Sequence, residues 1–281
     1  MKVGVYLPGN NDEHCKVLEA FHEGLLNTGF DSCLYDVEDY KSDLDLAVVF
    51  GVGKHAVPYS MHRGNIIKEQ KAQGKNTVVL EKGYIKRDHY YSAGLNGLNA
   101  NADFNNKLSI GDRWEKLDVK LEPWRIRQKG PILLCAQVPW DASVQHTNHI
   151  EWCAQTVAWL HSMKLEVIFR PHPLALTATP AMLGTIESRG TLEEEFKRAR
   201  AVITFNSNSG VDALLAGVPA FCADAGSMIY DYTPRATSNA LISNAIMDRQ
   251  QFAYDIAYAQ WNLEEMQQGL PAKHLLGEAY V

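Results

Sequence analysis

The sequence predicts an α/β protein built on parallel sheets. Short apolar runs (Ile132–Ala136, Glu166–Phe169, Ala201–Phe205) alternate with segments of helical spacing, and strand–helix alternation of this kind closes into a parallel sheet. Each run also ends in a polar signature: Gln137-Val138-Pro139-Trp140-Asp141, Arg170-Pro171-His172-Pro173 and Asn206-Ser207-Asn208-Ser209-Gly210. Parallel sheets bind ligands beyond the carboxyl ends of their strands, where the strand order reverses. The three signatures therefore predict one site built from three loops.

The elements follow in order. Lys2–Leu7 reads as a first strand. The turn 8–12 comes next, with Asp12 as the expected helix cap, and Cys15, Leu18, Phe21 and Leu25 keep helical spacing up to a stop at Gly29. Ser32–Val37 and Leu44–Phe50 read as strands, the second ending in Gly51-Val52-Gly53, either a close-approach pair for a ligand or a tight turn. His62–Gln73 reads as a polar helix, Thr77–Leu80 as a buried strand, and Tyr90–Asp112, rich in Asn, Gly and Ser, as irregular loops. The polar break Arg127–Gly130 marks the domain boundary. Beyond it, Ile150, Cys153, Val157 and Leu160 predict a helix ending near Met163. Helices are expected at Leu192–Arg200 and Val211–Ala216, a strand at Ala220–Ala223, and a helical tail over Arg249–Gln268.

A chain of 281 residues is long enough for two domains. With 46% hydrophobic and 21% charged residues it suits an ordinary globular protein. A net charge of −6 gives no global basic footprint of the kind nucleic-acid binders carry. Five scattered cysteines without C-x-x-C spacing point to reduced thiols and a cytoplasmic setting rather than a zinc site. The first eight residues do not read as a signal peptide. No apolar stretch approaches the roughly 20 residues of a membrane span.

The chemistry gathers in the second half. Asn206–Gly210 joins a strand to a helix, so backbone N–H groups and the Ser207 and Ser209 hydroxyls suit a phosphate; a plain helix cap would use the same residues. In Arg170-Pro171-His172-Pro173, two prolines stiffen the chain around a histidine that donates to a phosphate oxygen, beside an arginine fork. Gln137 and Asp141 suit ribose hydroxyls or a base edge, with Asp141 equally placed to cap the next helix. In the first half Glu81, Asp88 and Asp112 are the acidic candidates for deprotonating an acceptor. Trp114, Trp124, Tyr90 and Tyr91 suit stacking on a sugar or base, or packing.

These residues resemble the capsule polysaccharide biosynthesis family, which includes the β-Kdo transferases. The resemblance rests on Gln137-Val138-Pro139…Asp141, Arg170-Pro171-His172-Pro173 and Asn206 through Pro219, in that order. It implies a GT-B fold, two Rossmann-like domains with parallel sheets facing across a cleft: an acceptor domain over 1–128, a nucleotide-sugar domain over 129–248, and a tail over 249–281 packing back toward the first. It implies a nucleotide-sugar-dependent glycosyltransferase, with a CMP- or UDP-linked donor, no metal and no further cofactor. Donor contacts would come from Gln137, Asp141, Arg170, His172, Asn206, Ser207, Ser209 and Gly210. Catalysis would use His172 with Glu81 or Asp88. The family's Glu-Asp-Gly-Phe stands here as Glu81-Lys82-Gly83-Tyr84, with lysine in place of the aspartate. The segment Tyr91–Trp124 looks like compact bacteriophage glycosyltransferase-like proteins; that likeness implies a host cytoplasm if the chain is phage-encoded, and it sets two acceptors side by side: a glycan, or a hydroxymethylated pyrimidine in DNA. An epimerase of the same fold and an inactive nucleotide-binding module are the alternatives.

Overall fold

A computed structural model describes residues 1–9, 11–53, 58–243 and 248–277. Asn10, within the expected first turn, lies outside them. The chain forms β1 (Lys2–Leu7), α1 (Asp12–Asn27), β2 (Asp31–Asp36), β3 (Leu46–Phe50), α2 (Pro58–Ala72), β4 (Asn76–Lys82), β5 (Tyr90–Leu95) and α3 (Asp112–Leu117). Then follow β6 (Ile132–Cys135), α4 (His149–Ser162), β7 (Val167–Arg170), β8 (Ile186–Glu187), α5 (Leu192–Arg198), β9 (Ala201–Thr204), α6 (Ser209–Leu215) and β10 (Ala220–Cys222). The last elements are α7 (Ser238–Ser243), α8 (Gln250–Ala257), β11 (Gln260–Asn262), α9 (Leu263–Gln267) and α10 (Leu270–Leu276). They make two compact units: residues 1–113 with 254–281, and residues 114–253.

The first unit holds a six-stranded sheet in the order β11-β5-β4-β3-β1-β2. β2, β1, β3 and β4 are parallel, while β5 and β11 add on antiparallel. Alternation along the strands explains the two-sided core. Val3, Val5, Leu46, Val48 and Phe50 face the layer of α1, whereas Ala47 and Val49 pack with Ile66 of α2. Strands buried on both faces read as unbroken apolar runs, as β3 does. The region 90–112, expected as loops, instead starts with β5. The tail expected to be helical throughout is broken by β11, which pairs Trp261 with Tyr91.

The second unit holds a five-stranded, all-parallel sheet in the order β10-β9-β6-β7-β8. Cys153, Val157 and Leu160 of α4 close one face against Ile132, Leu134 and Phe169. Residues before β6 belong to this unit: Glu122 N–H donates to Leu215 O, and the Arg249 guanidinium donates to Glu122 O and Leu214 O while lying 4.2 Å over the Trp124 ring.

The cap of α1 is Asn11 rather than Asp12: its side chain accepts from His14 N–H at 3.1 Å. The same helix needs Gly24. A Cβ there would overlap the Met266 carbonyl oxygen and stand 2.8 Å from Gly269 N. Alanine gains up to about 1 kcal/mol of helix propensity, but the clash is with backbone, and overpacking costs about 1–3 kcal/mol even where side chains can give. Gly24→Ala is therefore expected to destabilise the first unit by about 2 kcal/mol, read as a lowered urea midpoint. A neutral or stabilising change would show that α1 is not seated on the 266–269 turn.

Candidate functional site

In the second unit β6 leads outward to β7 and β8, and the chain then returns to the other side of β6 as β9. The order reverses between β6 and β9, which is where doubly wound sheets take ligands. The register sets the three signatures side by side. Cys135 is paired with Arg170 on β7 and with Thr204 on β9, so all three loops leave from one row of the sheet. Neighbouring strands lie roughly 5 Å apart.

Gln137 and Asn206 clasp each other over the β6/β9 reversal. Gln137 Nε2 donates to Asn206 Oδ1 at 2.7 Å, and Asn206 N–H donates to Gln137 Oε1 at 3.0 Å. Asn206 Nδ2 donates to Ser143 O and to Asp224 Oδ1, both at 2.8 Å. Gln137 Nε2 also donates to Ser143 Oγ at 3.2 Å, and that hydroxyl donates to Asp141 Oδ1 at 2.8 Å. Asp141 accepts Ser143 N–H as well, as the cap of a short 3-10 turn at Ala142–Val144. The amides of Gln137 and Asn206 are thus buried and satisfied by each other together with Ser143 and Asp224, and they shape the loops.

Four residues of this network were not singled out in the sequence: Ser143, His146, His149 and Asp224. His149 Nε2 accepts Gln137 N–H at 2.8 Å, which leaves the ring proton on Nδ1, and burial pushes its pKa down to about 4. It is a neutral structural acceptor. Asp224 follows β10, and its second oxygen is 2.9 Å from His146 Nε2. The signal for Asp224 in the sequence is its place just past a short buried strand, the same signal that Glu81 carries at the end of β4.

The other signatures are equally well ordered. His172 caps a 3-10 turn at Pro173–Ala175, its Nδ1 accepting Leu174 N–H at 3.1 Å. A neutral ring acting as acceptor at Nδ1 carries its proton on Nε2, as a donor. Arg170 Nη1 is braced against Ser188 Oγ at 2.8 Å and Gly190 O at 2.6 Å. At the start of α6, Ser209 N–H donates to Ser207 Oγ (3.2 Å) and Gly210 N–H to Ser207 O (3.1 Å). That turn is closed on itself.

Glu81 and Asp88 belong to the first unit. Asp88 lies in an exposed turn between β4 and β5. Glu81 Oε1 accepts Lys82 N–H at 3.0 Å, and its other oxygen lies beside Gly51, next to Arg63. Lys82 pairs with Glu13, whose Oε1 also accepts the Tyr91 hydroxyl at 3.1 Å. Tyr91 and Trp114 are buried, as packing residues are. Gly53 sits against the backbone of Ser60 and Gly64, so the G-x-G pair serves a close turn onto α2. Among the described residues no group of three or more His, Cys, Asp and Glu is arranged to hold a metal ion, and no helix is long and apolar enough to cross a membrane.

Two units, each built on a sheet of mainly parallel strands flanked by helices, define a GT-B-like α/β protein, the fold of a class of glycosyltransferases. The chain is similar in structure to the β-Kdo 2,4-transferase KpsC of Thermosulfurimonas dismutans, with a TM-score of 0.57 and 14% identity over 92% of this chain and 90% of that one. It is similar also to the β-Kdo 2,7-transferase KpsC of that organism, with a TM-score of 0.52 and 15% identity over 97% of this chain and 99% of the other. At such identities the likeness is one of fold. No protein-family model and no curated protein matches the sequence.

Proposed function

We propose that the protein is a glycosyltransferase that moves a sugar from a CMP- or UDP-linked donor to a hydroxyl of a glycan, with the second unit holding the nucleotide. The observation that carries this reading is the shared row of the sheet from which the loops after β6, β7 and β9 depart, at the point where strand order reverses. The structurally similar proteins are β-Kdo transferases by name, which favours a glycan acceptor; the net charge of −6 weighs against DNA. In the proposed reaction the bond between sugar and phosphate breaks with its electron pair going to phosphate. The His172 Nε2–H donates to a phosphate oxygen as that charge grows, with Arg170 bracing the loop and Ser207 and Ser209 lining the neighbouring turn. No metal is required for this step.

The test is a thermal-shift screen against CMP, CDP, UDP, GDP and their sugars, followed by turnover of whichever sugar raises the midpoint. His172→Ala is expected to lower donor turnover about 100-fold, the usual cost of removing one such donor, while the circular dichroism spectrum stays that of the parent. Turnover within threefold of the parent would remove His172 from the mechanism.

A further inference from the structure

A cavity of about 270 Å³ lies in the second unit between α4, the ends of β9 and β10, and the chain that leads to α7. Trp152, Thr156 and Trp159 recur at helical spacing along α4 and form one wall. Ala223, just past β10, belongs to the floor, and Arg235 and Ala236 close the far side. None of the residues read above as donor contacts lines this cavity.

Protein interiors are close-packed, and voids larger than a water molecule are few. A cavity of about 150 Å³ takes benzene, so this one has room for two fused rings. Two tryptophans supply the aromatic surface on which such rings stack. Ala223 and Ala236 keep the space open, because their side chains end at Cβ. The walls are ordered without an occupant. Ala236 and Ala240 pack on the core beside Leu241, and the buried Arg200 donates through Nη2 to Leu241 O at 2.6 Å. On the other wall, Trp152 stands edge-on to Phe205 at 5.1 Å and stacks on His149 at 5.4 Å.

Arg235 brings a charge to this aromatic space. It is exposed, so it sits at the rim, and its guanidinium carbon lies 3.2 Å over the Tyr230 ring. Nη1 donates to Tyr230 O at 2.7 Å and to Thr233 O at 3.4 Å. Ring and carbonyls together fix the plane of the fork. Nε and Nη2 have no partner among the described residues. That edge of a guanidinium matches a carboxylate through two parallel hydrogen bonds.

We infer that this cavity is a binding site for a planar aromatic acid of one or two rings. The rings lie between α4 and Ala236, and the carboxylate meets the Nε/Nη2 edge of Arg235. The inference does not depend on the glycosyl-transfer reading, since the cavity shares no lining residue with the donor contacts.

The experiment is calorimetric titration of the whole chain with 2-naphthoate, and with 2-naphthamide as its uncharged counterpart. The acid is expected to bind one to one, more tightly than the amide, and to raise the unfolding midpoint. Arg235→Gln should weaken the acid about tenfold, the worth of one charge-assisted hydrogen bond, and leave the amide unchanged. Ala236→Leu fills the space, so it should abolish binding of both while the unfolding midpoint holds or rises. Neither CMP nor UDP should displace the acid. No binding up to the solubility limit of the acid, or binding that survives Ala236→Leu in a folded variant, overturns the site. Equal weakening of acid and amide by Arg235→Gln removes the carboxylate contact and with it the proposed ligand class. Displacement by CMP or UDP makes the cavity part of the nucleotide site, which ends this inference and leaves the donor reading standing.

Discussion

Replacing Arg113 by alanine is expected to destabilise the first unit by about 3–5 kcal/mol, the range for breaking a buried ion pair from one side. The guanidinium is buried and makes four hydrogen bonds: Nε to Ala257 O at 3.0 Å, Nη2 to Gln260 O at 2.8 Å, and Nη1 and Nη2 to the Glu265 carboxylate at 2.8 and 3.1 Å. It also lies 3.7 Å over the Trp261 ring. Removal leaves a largely buried carboxylate and two carbonyls without their donor. Glu265 has a second duty, accepting Asn262 N–H at 2.9 Å in the capping box of α9, so its displacement loosens α9 and the adjoining β11. Arg113→Lys keeps the charge but cannot reproduce the fork and should recover less than half of the loss. Arg113→Met with Glu265→Gln removes the charge pair from both sides and should be much milder than alanine alone. Urea unfolding reads all three. A cost below about 1 kcal/mol for alanine, the worth of an exposed pair, would mean that this contact does not hold the tail strand.

That residue illustrates what the sequence conceals. β1, β3, β4, β6, β7 and β9 are legible because each is a short apolar run bounded by turn residues, and their parallel pairing follows from the intervening elements. β5 carries Ser92 and Gly94, and β11 has three residues between two helices; neither has a local pattern. They exist because each finds an edge to pair with, β11 meeting β5 about 170 residues away in the chain. Arg113 appears in sequence as one more charge in a polar stretch, and only the closed sheet shows that it is buried. The site divides in the same way. Gln137, His172 and Asn206 are legible as polar residues after apolar runs. What they do is decided by partners such as Ser143, His149 and Asp224.

Asn206→Ala should be the most damaging change in the second unit, costing about 3 kcal/mol or more. Asparagine here makes four hydrogen bonds while only 5% exposed. Alanine keeps one of them, the backbone N–H to Gln137 Oε1, and strands three partners: Gln137 Nε2, Ser143 O and Asp224 Oδ1. A single neutral hydrogen bond is worth about 1 kcal/mol net, whereas an orphaned buried group costs about 1–3 kcal/mol, so the stranded partners set the size of the effect. Asp224 retains Gly226 N–H at 2.9 Å and His146, and Gln137 retains Ser143 Oγ, which caps the loss below the full sum. Gln137→Ala attacks the same clasp from the other side. Because the two residues share their bonds, the double variant should cost clearly less than the two single changes added together, with a coupling of about 1–2 kcal/mol. Asn206→Asp should be worse than alanine, since it sets a second carboxylate against Asp224 in a place that water barely reaches. If the single costs add without coupling, the loops after β6 and β9 are held independently and the clasp is not what joins them.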